Sequence, residues 1–308
     1  MENETNQPNR NPLKDIANEY KRIKSGTPTS ENNEVKAKPM DVPSHKPPKL
    51  DSDYVNELSK ETDPDLITVT EIVKLPSKGL YYPDGLSEVE VEYLTSTDED
   101  ILTTPSLIES GAAIEKILKR KIKTKNVNPN NLLPGDRSAI MLFLRITSYG
   151  ADYTVEVTDP RTGKSFKQTV DLLALKPREI KEMPDEQGHF NVFLPMRKKN
   201  VKIKLLTYGE EIGLQKQAES LKEAYEEEYS RFNSLRIKSS VISVEGKTDR
   251  GYISKFIDVL PAGDIHQIRK KISEVSPDID LKYRFKAKDG FEFDGYLMMG
   301  LDFFFPGI

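Results

Sequence analysis

The run Leu132 to Gly150, LLPGDRSAIMLFLRITSYG, constrains the fold more than any other part of the chain. Pro134 and Gly135 make a turn, and Asp136 is placed to accept hydrogen bonds from the free amides of a first helical turn. Gly150 offers the left-handed position that closes a helix. Between these ends, Ile140 to Leu144 and Ile146 leave little polar surface. A helix that is apolar around most of its circumference must be covered on most sides. It is therefore expected at the centre of a core, with the neighbouring segments supplying the layers around it.

Those segments read as small hairpins and short helices. From Leu66, ITVTEIVKLPSKGLYYPDG is a strand ended by Pro76, then a Ser-Lys-Gly turn and a second turn at Pro83-Asp84-Gly85; VEVEYL follows as a half-buried strand. A helix from Ser110 to Lys123 buries Ile114, Ile117, Leu118 and Ile122 and carries Lys116, Lys119, Arg120, Lys121 and Lys123 on its other face. Such a face is able to hold phosphate, but no stacking aromatic residues interleave with it, so it reads as solvated and nucleic acid is not expected as a partner. YTVEV and SFKQTVDL then flank the turn DPRTG as a β-hairpin.

The second half begins near Pro177. Phe190 to Leu194 and Val201 to Leu205 read as strands around the basic turn Arg197, Lys198, Lys199 and Asn200. Residues 210–235 read as one long charged helix with an apolar stripe that suits packing along a helical partner, which makes Leu221, Tyr225 and Phe232 candidate contact residues. After the strand SSVISVEG, Asp249 and Asp264 read as caps of two short helices, and Pro277 ends the second. The chain finishes with the hairpin LKYRFKAKDGFEFDGYLM, turning at Asp289-Gly290, and with LDFFFP. Phe303, Phe304 and Phe305 on an extended ending would alternate between faces, so at least one is expected beyond the core as a partner anchor; the alternative is that all close the second lobe. The fold class expected is α+β, with lobes at 66–176 and 177–308.

Residues 1–65 are rich in Asn, Pro, Lys, Glu and Ser, a composition that cannot bury enough apolar surface to offset its ordering entropy, and they read as a disordered tail. Within 12–24, Leu13, Ile16, Tyr20 and Ile23 recur at helical spacing. The pattern is either a recognition helix that folds into a partner's groove or an accident of a solvated tail. Tyr54, Val55 and Leu58 form a second, weaker cluster.

Composition excludes several function classes. With 46 basic against 50 acidic residues the chain has no global field to draw it to nucleic acid or an anionic membrane. No apolar run approaches the roughly 18 residues that cross a bilayer, and MENETNQPNRN lacks a signal-like stretch, so a soluble cytoplasmic protein without a membrane partner is expected. Cysteine is absent, which removes disulfides, thiol catalysis and thiolate zinc sites; His45, His189 and His266 are scattered, and no metal or cofactor is expected. There is no GxxxxGK[ST], GxSxG or HExxH pattern. Asp98, Glu99 and Asp100 read as solvated carboxylates of a polar loop, not as an acid–base pair, so no enzymatic activity is expected.

The blocks LPSKGLYYP, LLPGDRSAIMLFLRITSYGADYTVEV and FLPMRKKNVKIKLLTYGEE, followed in order by SVEG, FIDVLPAGD, IRKKISEVSPDID and a terminal FFFP, resemble the baseplate hub assembly proteins of T-even-like contractile-tailed bacteriophages. The resemblance implies a non-enzymatic viral tail assembly protein, an assembly factor or hub component. Its implied partners are other baseplate hub or tail proteins, the tape-measure protein among them, in the host cytoplasm during assembly and in the tail baseplate. A cytoplasmic interaction scaffold with no virion role is the alternative. Members of the family look to carry CPxCG-like zinc knuckles in their hairpins. Here those stretches are Asp159-Pro160-Arg161-Thr162-Gly163 and Lys286-Ala287-Lys288-Asp289-Gly290, which keep the turn glycines without the thiolates. The hairpins are therefore expected to be held by side chains without metal.

Overall fold

The computed structural model describes residues 68–304 apart from Glu227 and Gly300. Leu13, Ile16, Tyr20, Ile23 and Phe305 lie outside the described residues. The described chain is α+β. A hairpin of β1 (Thr70–Lys74) and β2 (Glu88–Glu92) leads into three short helices, α1 (Ser96–Thr103), α2 (Pro105–Glu109) and α3 (Ala112–Lys121). The central helix α4 (Pro134–Tyr149) follows, then the hairpin β3 (Asp152–Thr158) and β4 (Ser165–Asp171). The second half opens with the hairpin β5 (His189–Leu194) and β6 (Lys199–Lys204), continues through α5 (Tyr208–Ala224) and α6 (Phe232–Ser240), and adds β7 (Val241–Val244) beside β6. Helices α7 (Arg250–Asp258) and α8 (Ala262–Val275) and the hairpin β8 (Lys282–Lys286) and β9 (Glu292–Tyr296) complete it. All strand pairs are antiparallel.

Two apolar clusters form the interior. In the first, Ile140 and Leu144 of α4 are fully buried among Val89 and Val91 of β2, Ile117 and Leu118 of α3, and Val170 and Leu172. The second gathers Phe190, Leu194, Val201 and Ile203 of the three-stranded sheet with Ile253 of α7 and Ile268 of α8. The clusters do not follow one another along the chain, as sequential lobes would. Ile279, Phe285, Leu297, Phe303 and Phe304 all belong to the first cluster, because the chain crosses back after α8. Pro177 pairs with Ile279 there, and the Asp280 amide donates to the Lys176 carbonyl at 2.8 Å.

The two halves repeat one device. Each opens with a strand ending in Leu-Pro, at Leu75-Pro76 and Leu194-Pro195, and each turn that follows holds a lysine at positive φ, Lys78 at 53° and Lys198 at 52°. In each, a buried aspartate at the third position of a later helix binds that turn. Asp136 Oδ1 accepts from the Ser77 amide at 2.9 Å, and Asp264 Oδ1 and Oδ2 accept from the Met196 and Arg197 amides at 3.0 and 2.9 Å. In each, a β-hairpin follows the helix. Sequence places these two aspartates as caps of their own helices. The structure corrects this: the residues before α4 and α8 are Leu133 and Pro261, and the carboxylates serve distant amides. Asp249 does cap its own helix, accepting from the Tyr252 amide at 2.7 Å.

Three further expectations are corrected. The acidic stretch at Asp98 is not a solvated loop: it lies in α1, where Asp98 is fully buried, closes a capping box with Thr95 and pairs with the buried Lys121 and with Arg120. Lys121 also reaches Glu92 at 3.0 Å, so much of the basic face of α3 is neutralised within the fold. The long helix 210–235 is broken in two, because the chain turns at Glu226 (φ 50°) after Tyr225. Glu226 and Glu228, just past the end of α5, stand near the negative pole of the helix dipole, which disfavours its continuation. Leu301 to Phe304 form a short 3₁₀ turn instead of a strand, so the alternation argument does not apply to them.

Candidate interaction surface

The helical hairpin α5–α6 carries the contact residues expected in the second half, and its root is firmly built. Thr207 and Glu210 exchange the two hydrogen bonds of a capping box at 2.9 and 3.3 Å, which sets the start of α5. The Tyr208 amide donates to the Leu132 carbonyl at 2.9 Å, and the Arg137 guanidinium lies 3.6 Å from the centre of the Tyr208 ring. Gly209 packs so closely on Asn130 that a methyl group there would lie 2.9 Å from its carbonyl oxygen. Farther out, Arg236 Nε of α6 bonds to Glu211 Oε1 of α5 at 2.6 Å and holds the helices together.

The apolar stripe thins toward the tip. Leu214 and Ala218 are buried, Leu221 and Phe232 are half-buried, and Tyr225 is 65% exposed. Tyr229, 64% exposed, stands on the same connection between the helices. The guanidinium of Arg231 lies 5.5 Å from the Tyr225 ring centre. A firm root with exposed aromatic residues at the far connection makes this helix pair, the arm, suited to seating in another protein, since tyrosine combines large contact area with a hydrogen-bonding end.

Phe303 and Phe304 are not part of any surface. They are 1% and 0% exposed and stack edge to face on each other at 5.7 Å. Phe303 also meets Tyr153 edge to face at 5.1 Å and lies beside Arg145. Arg145 is itself fully buried. It donates to the Gly150 and Asp152 carbonyls at 2.7 and 3.2 Å and faces the rings of Tyr149, Tyr153 and Phe303. The cation ties the end of α4, the start of β3 and the C-terminal aromatics into one knot. These phenylalanines close the first core, not the second.

A groove of about 520 Å³ lies beside the root of the arm, lined by Tyr81, Asn126, Asn128, His189, Lys204 and Glu210 among others. Two of its charged groups are committed to each other: Lys204 Nζ bonds Glu210 Oε1 at 2.5 Å. Tyr82 on its wall donates a hydrogen bond to Asp136 Oδ2 at 2.5 Å and accepts one from the Leu133 amide at 2.8 Å. Burial and the adjacent Asp136 push the Tyr82 hydroxyl far above its ordinary range. Burial also raises Asp136, against the lowering effect of its bonds from Tyr82 and Ser77. Among the described residues no group of His, Asp and Glu is placed to hold a metal ion, and no helix is long and apolar enough to cross a membrane.

The knuckle stretches of the two hairpins meet. Arg161 Nη2 reaches Asp159 at 3.2 Å and Asp289 at 2.7 Å, and its guanidinium lies 3.8 Å from the Phe291 ring centre. Phe166 and Phe293 pack edge to face at 6.3 Å behind this pair.

No curated protein and no solved structure matches the chain. A family model does match, over residues 68–306, from the first strand through the terminal aromatics. By that match the chain belongs to the family described as T4 bacteriophage base plate protein.

Proposed function

We propose that this protein is a baseplate hub assembly factor or hub component that acts through protein–protein contacts and not as an enzyme. The family places it with the phage baseplate. The observation that carries the finer reading is the arm α5–α6, which presents the exposed Tyr225 at the end of a rigidly rooted helix pair. The groove beside the root of the arm supports the same reading, since its Lys204 and Glu210 neutralise each other. Contacts with other hub proteins then occupy the arm in the host cytoplasm during assembly.

Capture of hub proteins from infected cells by the purified chain tests this. Tyr225→Ala is expected to reduce capture with an unchanged melting temperature, and removal of residues 1–50 is expected to weaken it further by way of the Leu13 to Ile23 pattern. Capture that survives both changes sinks the reading. Mass spectrometry of purified virions separates a retained component from a transient factor.

A further inference from the structure

The repeated device is covered in one half of the molecule and open in the other. In the first half the start of α4 is enclosed: Gly135 is buried, and a methyl group on it would lie 2.0 Å from the Pro277 carbonyl oxygen. The turn that Asp136 binds is held in by Tyr82. In the second half the same place is bare. Ala262 and Gly263 at the start of α8 are exposed, and Met196 and Val259 beside them are each 63% exposed. These belong to one patch, since Met196 Sδ sits over Gly263 and Arg197 Nη2 donates to the Val259 carbonyl at 2.5 Å. Exposed Arg197, Lys198 and Lys199 rim it, none paired with a carboxylate among the described residues.

An apolar centre with a cationic rim fits an aromatic residue flanked by carboxylates. The chain presents that chemistry itself, at the tip of the arm, where exposed Tyr225 is followed by exposed Glu226 and Glu228. The two surfaces are attached at opposite ends of β6: the basic turn precedes Lys199, and α5 begins beyond Lys204. We propose that the arm tip of one copy docks on the Met196–Val259 patch of a second copy, with Tyr225 seated against Met196 and Glu226 and Glu228 facing Lys198 and Lys199. The contact is heterologous, so copies add head to tail and close into a ring or extend. This rests on the reading of the arm as the interaction element and names one occupant for it.

Sedimentation velocity of the purified full chain over a concentration series, at low and high salt, tests the contact. Association is expected to rise with concentration and to weaken with salt, because exposed charges are screened. The variants Tyr225→Ala, K198E/K199E and E226K/E228K are each expected to weaken it by at least about tenfold while melting like the parent. Joining both reversals in one chain is expected to restore it. A chain that stays monomeric throughout, or association indifferent to both reversals, or no recovery in the combined variant, overturns the proposal. A monomer that still captures hub proteins through Tyr225 overturns the second copy as occupant and leaves the hub reading standing. Loss of hub capture with intact self-association does the reverse.

Discussion

Arg161 and Asp289 stand 128 positions apart and meet at 2.7 Å, joining the tips of two hairpins that lie in different halves of the sequence. The same guanidinium bonds Asp159 and covers Phe291, so one cation holds both tips. The pair is largely exposed, and exposed ion pairs stabilise little. Arg161→Ala is therefore expected to lower the melting temperature slightly, with the loss shrinking at high salt. Chelator is expected to leave melting unchanged; stoichiometric zinc together with chelator-induced unfolding would contradict this.

Asp136 carries more. Removing its carboxylate leaves the Ser77 amide and the Tyr82 hydroxyl without their acceptor in a buried site. Asp136→Ala is expected to cost about 2–6 kcal/mol, since each of the two orphaned buried donors costs about 1–3 kcal/mol. Tyr82→Phe is expected to cost less, and the double variant less than the sum of the two, because both act on one network. Urea unfolding of the three variants checks this, and strict additivity would show that the groups are independent.

Acid stability should report on Glu92. Burial by itself raises its pKa, but hydrogen bonds from Thr68, Lys123 and Lys121 together outweigh it and hold the carboxyl at about 2, below its ordinary 4.5. A depressed folded value stabilises above the unfolded pKa, and that contribution is lost as pH falls from 4.5 toward about 2. Asp136, raised in the fold, works in the opposite sense and loses its contribution as pH rises through its folded value. The urea midpoint of Glu92→Gln is expected to fall less steeply than the parent's between those pH values.

Core substitutions should separate packing from binding. Leu144→Ala removes a fully buried side chain of the central helix and is expected to cost about 2–5 kcal/mol. Phe303→Ala and Phe304→Ala are expected to cost about 3–5 kcal/mol each, with hub capture unaffected at temperatures where the variants remain folded. A binding defect without a melting change at either phenylalanine would restore that end of the chain as an anchor.

The central helix, the hairpins around Gly163 and Gly290 and the cap at Asp249 were legible in the sequence because each depends on residues a few positions apart: apolar period, turn glycine, side chain to nearby amide. The α+β class follows from their sum. What the sequence could not determine are the partners of polar groups whose nearest neighbours in space are remote in the chain. Asp136 and Asp264 carry the residue type of a cap, yet their acceptor oxygens bond amides 59, 68 and 67 positions away, because the fold brings an open turn within reach of each. Lys121 looks solvated on a charged helix until Glu92 and Asp98 enclose it. Phe303 and Phe304 look like anchors until the chain's return to the first core supplies Tyr153 and Arg145 to cover them. Local pattern determines which surfaces need covering; only the tertiary structure decides what covers them, since burial and charge pairing are settled by distance in space and not by distance along the chain.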